Sequence, residues 1–162
     1  MLKVIGIDPG LAITGYGLIG VKSPDDIKLI EAGVIRTKVR QHISGRVLKI
    51  FRCLNDVINE FKPQVLVLEK LYSHYRHPTT SILMAHARGT ICLLCGLNNI
   101  KLVSYPSTRI KKAITGAGHA SKVQIQRMVS EVFHLKKIPE PVDITDALAL
   151  ALSFVYIELR GK

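Results

Sequence analysis

The stretch that decides the fold is Val4-Ile5-Gly6-Ile7-Asp8, a short apolar run that ends in a carboxylate. A second run of the same kind, Val65-Leu66-Val67-Leu68, ends in Glu69. Runs of this length are typical of buried strands. A carboxylate at the rim of such a strand costs free energy unless it is paired, hydrogen-bonded or bound to a cation. The two runs therefore predict two core strands, each with a functional acid at its end.

Two further acids open the strongly apolar stretch Asp143-Ile-Thr-Asp146-Ala-Leu-Ala-Leu-Ala-Leu152. Their i,i+3 spacing places them on one face of a helix. Acids in a first helical turn are also ordinary helix-start chemistry, because they face the positive end of the macrodipole. Taken alone, the pair favours that plainer interpretation. Together with Asp8 and Glu69, it predicts a cluster of four carboxylates, whose hard oxygen ligands suit magnesium or manganese.

The patterning around these acids predicts the other elements. Residues 2–8, the run from Thr14 to Ile19, and residues 28–36 are interpreted as three successive strands, which implies an antiparallel meander. The later elements are a helix capped by Ser44 and ended by Lys62-Pro63, a strand at 65–69, a helix from Pro78 to Gly96, a strand at 101–104, a short helix at 107–114, a helix at about 121–134 capped by Ser121, and a final helix from 143. This order predicts an α/β fold, a mixed sheet with helices on its faces. Ligands of such sheets gather at the carboxyl ends of strands, so Asp8 and Glu69 share a site if their strands are parallel neighbours.

The charge balance indicates a polyanionic partner. Lys and Arg number 23 against 12 acids, for a formal charge of +11. The 61 residues between Glu69 and Glu131 hold no acid, and residues 32–55 form a second acid-free stretch. Their cations are Lys70, Arg76, Arg88, Lys101, Arg109, Lys111, Lys112, Lys122 and Arg127 in the first, and Arg36, Lys38, Arg40, Arg46, Lys49 and Arg52 in the second. Such a surface is typical of nucleic-acid binding, because each neutralised phosphate releases a counterion.

Length and composition predict one domain spanning residues 1–162. The first residues do not resemble a signal peptide, and no apolar run is interpreted as long enough to span a membrane. Three cysteines, an odd number, favour a reducing compartment, and we expect a cytoplasmic protein without a membrane partner. The lone pair Cys92 and Cys95 is interpreted as two buried hydrophobic side chains. His74, His77 and His86 lack zinc-site spacing and are expected to contact backbone or phosphate.

Taken together and in this order, the motifs resemble the RuvC-type Holliday junction resolvases of the ribonuclease H-like superfamily. The residues that carry the resemblance are Gly6-Ile-Asp8-Pro-Gly10-x-x-x-Thr14-Gly15-Tyr-Gly17, Glu69-Lys-Leu-Tyr72, Ala87-Arg88-Gly89, Lys111-x-x-x-x-Gly116-x-Gly118-x-x-x-Lys122 and Asp143-x-x-Asp146-Ala-Leu-Ala. The likeness runs from Met1 to about residue 155, and it implies a five-stranded sheet of three antiparallel and two parallel strands.

The resemblance also implies an activity and a set of site residues. It implies a structure-selective endodeoxyribonuclease that resolves four-way junctions in recombination and repair, with 5′-phosphate and 3′-hydroxyl products. The implied acidic tetrad, which would hold the metal, is Asp8, Glu69, Asp143 and Asp146. The implied basic residues are Lys111 and Lys122, of which Lys122 is expected to be catalytic. The expected DNA contacts are these two lysines together with Tyr72, Arg76 and Lys112. Tyr72 stands where the family commonly has phenylalanine.

The implied cofactor is Mg²⁺, two ions per subunit about 4 Å apart, with Mn²⁺ as a substitute. The implied partners are four-way junction DNA, a second copy of the chain, and a RuvA/RuvB-type branch-migration complex. The helix from about Pro78 to Cys95 carries more apolar residues than one face can bury against its own sheet, so we expect it to form the homodimer interface.

Other classes of function are weighed against this one. A kinase of the actin and hexokinase type shares the Asp8-Pro-Gly10 feature, but it needs a second domain and a second phosphate loop that 162 residues do not supply. A catalytically silent nucleic-acid-binding module is disfavoured by the four acids. A related RNA-processing nuclease remains an alternative, although the segment from Lys111 to Lys122 and Tyr72 favour a DNA junction.

Overall fold

The computed structural model describes residues 1–71 and 78–160. Five strands are β1 (Leu2–Asp8), β2 (Ile13–Ser23), β3 (Asp26–Arg36), β4 (Val65–Glu69) and β5 (Lys101–Tyr105). The helices are α1 (Ile43–Phe61), α2 (Pro78–Leu97), α3 (Ser107–Thr115), α4 (Lys122–Val132) and α5 (Asp143–Phe154), and a π-helical turn (Val155–Leu159) follows α5. The order of elements is the one that the sequence pattern predicts.

The strands form one mixed sheet in the order β3-β2-β1-β4-β5. Strands β1, β2 and β3 pair antiparallel, whereas β4 pairs parallel with both β1 and β5. The register of β1 with β4 sets Gly6 beside Val67. Two residues further on, that register brings Asp8 level with Glu69 at the same edge of the sheet. The predicted neighbourhood of the two strand-end acids is therefore confirmed.

The two faces of the sheet carry two separate hydrophobic cores. Because side chains alternate along a strand, Val65 and Val67 point to one face while Leu66 and Leu68 point to the other. The first face packs against α3, α4 and α5, and the second packs against α1 and α2. The result is a three-layer α/β arrangement whose carboxyl edge is left open between the helices.

Two glycines let α5 lie directly on the sheet. A Cβ atom at Gly6 would overlap the carbonyl oxygen of Ala147, and one at Gly15 would overlap the carbonyl oxygen of Asp143. Close backbone approach of this kind needs glycine, since any side chain would push the helix away. The first turn of α5 is thereby held beside the ends of β1 and β2.

The helix caps test the predictions of helix starts. Helix α4 begins after Ser121, which forms a capping box with Gln124, so that prediction is confirmed. The prediction of Ser44 as the cap of α1 is wrong. The cap is His42, whose ring nitrogen accepts a hydrogen bond from the backbone N–H of Ser44 at 3.4 Å. An imidazole nitrogen supplies the acceptor there, and Ser44 lies inside the first turn.

Helix α2 combines a buried face with an exposed apolar face. Ala87, Ile91 and Leu94 are fully buried against the sheet, whereas Ile82 is 59% exposed. By length and composition, residues 79–97 could cross a membrane, which corrects the expectation that no apolar run reaches that length. One such helix is weak evidence for a membrane span, and 22% of the window is buried. Its fully buried face places α2 in the packed layer on the sheet.

Candidate active site

A cavity of about 300 Å³ opens at the carboxyl ends of β1 and β4. Three carboxylates line it, and each comes from a different element: Asp8 from β1, Glu69 from β4 and Asp146 from α5. The rest of the lining consists of Lys111, Lys122, Ser107, Ile110, Ile125, Ala149 and Leu150. Three of the four predicted acids and two predicted lysines thus meet in one place, as the strand-end argument requires.

Asp8 is the electrostatic centre of this cavity. The pKa of its carboxyl group is raised from 3.8 to about 6, first by burial and then by the neighbouring carboxylates of Asp146, Asp143 and Glu69, in that order of effect. Lys122 acts in the opposite direction and lowers it. The negative charge on Asp8 is therefore costly in the isolated protein. A cation in the cavity would remove much of that cost.

Lys122 supplies a positive charge inside the site. Its ammonium group lies 3.3 Å from a carboxylate oxygen of Asp146, and 72% of its side chain is exposed, against 28% for Asp146. Lys122 is the first residue of α4, directly after the Ser121 cap, so its backbone is fixed while its side chain is free to move. An exposed ion pair of this kind is weak, so substrate phosphate or a metal ion can compete for either partner.

Asp143 lies outside the lining of the cavity that the other three acids share. It lines a second cavity, together with Gly10, Leu11 and Arg46, and does not line the cavity of Asp8. Its charge is still close enough to raise the pKa of Asp8. Positions three apart on a helix differ by about 60° in direction, which is enough to point Asp143 and Asp146 to different sides of α5. Three acids of the predicted tetrad therefore line the cavity, and the fourth, Asp143, lies outside its lining but raises the pKa of Asp8 more than Glu69 does.

Arg88 fixes the strand end that carries Glu69. Its guanidinium group donates a hydrogen bond to the backbone carbonyl oxygen of Glu69 at 2.6 Å and another to the hydroxyl of Ser104 at 3.0 Å. Arg88 belongs to α2, so these contacts tie that helix to the ends of β4 and β5. The sequence places Arg88 in the motif Ala87-Arg88-Gly89 but predicts no contact for it. The feature that marks it as a candidate site residue is its place in the acid-free interval between Glu69 and Glu131.

The remaining predicted contacts divide into three groups. Lys111 lies on α3 and lines the acidic cavity, whereas Lys112 is exposed on the same helix outside the cavity lining. Tyr72 and Arg76 lie outside the residues that the structure describes. Ser107 and Ile110, which sequence reasoning did not select, form the α3 wall of the cavity. The polar–apolar pattern of a short surface helix gives no signal for such residues.

Cysteine and histidine do not build a site in the part of the chain that is described. Burial raises the pKa of the Cys95 thiol to about 11, and the nearby Cys92 adds to the shift, so Cys95 stays protonated and packs in the core. His86 is exposed on α2, while His74 and His77 lie outside the described residues. Neither residue type indicates zinc here.

The donor chemistry of the cavity suits a hard cation. Within residues 1–71 and 78–160, no three His, Cys, Asp or Glu side chains are already arranged to hold a metal ion. Lys122 occupies one oxygen of Asp146, and Asp143 lines the other cavity. The three lining carboxylates nevertheless offer oxygen ligands only, which Mg²⁺ and Mn²⁺ prefer. The raised pKa of Asp8 marks where a cation would be most stabilising.

Comparison with known proteins gives a consistent result. The family model described as crossover junction endodeoxyribonuclease RuvC matches residues 4–154. The chain is 39% identical over 154 residues to the crossover junction endodeoxyribonuclease RuvC of Caldicellulosiruptor saccharolyticus, a match that covers 95% of this chain and 92% of the relative. The protein of that name from Rhodopirellula baltica is 41% identical over 154 residues, with coverages of 95% and 86%.

The fold matches a solved structure of the same kind. The structure of Thermus thermophilus RuvC in complex with a Holliday junction substrate superposes with a TM-score of 0.93 and 28% sequence identity. The match covers 99% of this chain and 97% of that one. The predicted architecture, a mixed five-stranded sheet of the ribonuclease H-like type flanked by helices, is thereby confirmed.

Proposed function

The chain belongs to the family of RuvC crossover junction endodeoxyribonucleases, and from this premise we propose how its acidic cavity cuts DNA. Its function is the resolution of Holliday junctions in recombination and repair. The observation that supports the site assignment is the convergence of Asp8, Glu69 and Asp146 from three elements on one cavity with two lysines. A catalytically silent binding module would have no reason to accept the electrostatic cost of that cluster.

We propose that Asp8, Glu69 and Asp146 hold divalent cations, with Mg²⁺ as the ion used and Mn²⁺ as a substitute. Asp143 adds negative charge from behind, since it already raises the pKa of Asp8. The chemistry that such ions supply when bound is a lower pKa for the attacking water and neutralisation of charge on the phosphate and the leaving oxygen. In this proposal the three carboxylates that line the cavity serve as metal ligands and not as a general acid/base pair.

The lysines act on the substrate. We propose that Lys122 leaves Asp146 when the site is loaded and then faces the scissile phosphate, where its ammonium group offsets developing charge. Lys111, on the wall of the same cavity, binds a flanking phosphate and so fixes the register of the strand. The proposed products carry a 5′-phosphate and a 3′-hydroxyl. Lys112, Tyr72 and Arg76 are proposed as further DNA contacts outside the cavity.

Resolution of a junction needs two cuts, so we propose that the chain acts as a homodimer. The exposed apolar side chains of α2, including Ile82, Leu83 and Leu93, supply the surface for a second copy. We further propose a RuvA/RuvB-type branch-migration complex as partner and the cytoplasm as the place of action.

One cleavage assay tests this proposal against its alternatives. Synthetic four-way junctions, linear duplex and an RNA/DNA hybrid are incubated with the protein, with and without Mg²⁺. We expect cutting of the junction only, in symmetric pairs and only with the metal present. Preferred cutting of the hybrid would favour an RNA-processing nuclease, and binding without cutting would favour a silent module.

A further inference from the structure

A second concentration of positive charge lies at the same edge of the sheet as the active site. Arg36 is the last residue of β3, and Lys38 and Arg40 follow in the connection to α1. All three side chains are exposed. Among the ion pairs formed between described residues, none involves these three. We name Arg36, Lys38 and Arg40 the β3–α1 basic patch.

Strand pairing fixes how far this patch lies from the catalytic acid. Asp8 pairs with Gly15, and Gly15 pairs with Val34, so Arg36 lies two strands across and two residues further along. With strands about 4.8 Å apart and about 3.3 Å per residue, the Cα atoms of Asp8 and Arg36 are about 12 Å apart. Along B-form DNA at 3.4 Å per step, this corresponds to roughly three to four base pairs.

The patch is held rigidly relative to the catalytic strand. The hydroxyl of Thr37 donates a hydrogen bond to the carbonyl oxygen of Leu11 at 2.6 Å. Its backbone N–H donates to the carbonyl oxygen of Ala12 at 3.0 Å. Arg46, only 8% exposed, donates to the Thr37 hydroxyl at 2.9 Å. Leu11 and Ala12 belong to the loop that directly follows Asp8, so the basic connection cannot move independently of the active site.

We propose that the β3–α1 basic patch is a second DNA-contact surface, which holds the phosphate backbone of a junction arm three to four base pairs from the scissile phosphate. The inference rests on the proposed function, since it takes a DNA junction as the substrate in the acidic cavity. Lys111 and Lys112 lie on the opposite flank, on α3 after β5. The catalytic carboxylates therefore lie between two basic surfaces. A DNA backbone that crosses this edge of the sheet contacts positive charge on both sides of the cavity.

The test compares two triple variants with equal loss of charge. One is Arg36→Gln, Lys38→Gln, Arg40→Gln. The matched control is Lys22→Gln, Lys28→Gln, Lys62→Gln, whose exposed lysines lie toward the opposite edge of the sheet. Junction affinity is measured against salt in EDTA, and the phosphates protected by the protein are mapped by hydroxyl-radical footprinting. Circular dichroism and thermal melting verify that both variants fold like the wild type.

We expect the patch variant to reduce the slope of log K against log[salt] by about two to three, since each phosphate contact contributes about 0.9. We expect it to lose protection roughly three to four base pairs from the nick. The control should keep the wild-type salt slope and the wild-type footprint. Saturating protein should restore the cutting rate of the patch variant to within about twofold of the wild-type rate. Equal slopes in the two variants, unchanged footprints, or a cutting defect that persists at saturation would each overturn the inference. Failure of the wild type to cut junctions would instead overturn the proposed function.

Discussion

Replacing Asp8 by asparagine should make the metal-free protein more stable at neutral pH, although the residue belongs to the active site. The folded protein holds the pKa of Asp8 at about 6, against an ordinary value of 3.8. Below pH 3.8 the group is protonated in both states and the shift has no effect on folding. As the pH rises, the unfolded chain ionises first, so the free energy of unfolding of the wild type falls until the pH exceeds about 6.

The size of the effect follows from that shift. About two pKa units correspond to about 3 kcal/mol at 1.36 kcal/mol per unit, and this full cost applies at pH 7.5. At pH 4.5 only about 1 kcal/mol of it remains, because the folded carboxyl group is protonated there. Asparagine keeps the shape without the charge. The Asp8→Asn variant should therefore gain up to about 3 kcal/mol at pH 7.5 and about 1 kcal/mol at pH 4.5.

Urea denaturation in EDTA at the two pH values measures this difference. The control is Asp56→Asn, which removes an exposed acid on α1 and changes net charge equally. Saturating Mg²⁺ should stabilise the wild type and leave the Asp8→Asn variant almost unaffected, since a ligand of the folded state raises its stability. The predicted cost of ionised Asp8 is contradicted if Asp8→Asn is no more stable than wild type at pH 7.5. It is also contradicted if the gain in free energy of unfolding is the same at both pH values.

Three further outcomes are expected. Glu69→Gln and Asp146→Asn should each abolish cleavage while junction binding, measured by gel shift, stays within about threefold. Asp143→Asn should be the mildest, because Asp143 does not line the cavity of the other three acids; loss of binding in parallel would indicate a folding role. Lys122→Met should lower the Mg²⁺ concentration needed for half-maximal binding, because it frees Asp146. The same variant should slow single-turnover cleavage at least tenfold; weaker Mg²⁺ binding would contradict the idea that Lys122 and the metal compete for Asp146. Leu83→Glu should give a folded monomer in sedimentation that makes single, uncoupled nicks; an unchanged dimer would exclude this face of α2.

The strand-end acids could be predicted because their signal is local. An apolar run of four or five residues fixes a buried strand, and the acid that ends it must lie at the sheet edge, so Asp8 and Glu69 follow without tertiary information. The sequence permits parallel pairing of their strands without requiring it, because α1 before β4 supplies the crossover that a parallel connection needs. The observed register establishes the pairing.

The features that the sequence did not predict depend on directions in space. The i,i+3 rule placed Asp143 and Asp146 on one face, but a difference of about 60° between them separates two cavities. The apolar content of α2 does not tell which of its leucines face a partner, since Leu94 is fully buried while Leu83 is 38% exposed. The Arg88 contact with Glu69 joins residues 19 positions apart and has no local signature.

We propose that three converging carboxylates form a metal-dependent site for cutting four-way junctions. The most direct test is single-turnover cleavage of a synthetic junction by the wild type and by Asp146→Asn, each with Mg²⁺ and with EDTA, followed by analysis of the product ends. We expect symmetric nicks with 5′-phosphate and 3′-hydroxyl ends for the wild type with Mg²⁺, and no cutting in the other three reactions. Cutting of the junction in EDTA, or undiminished cutting by Asp146→Asn, would contradict it.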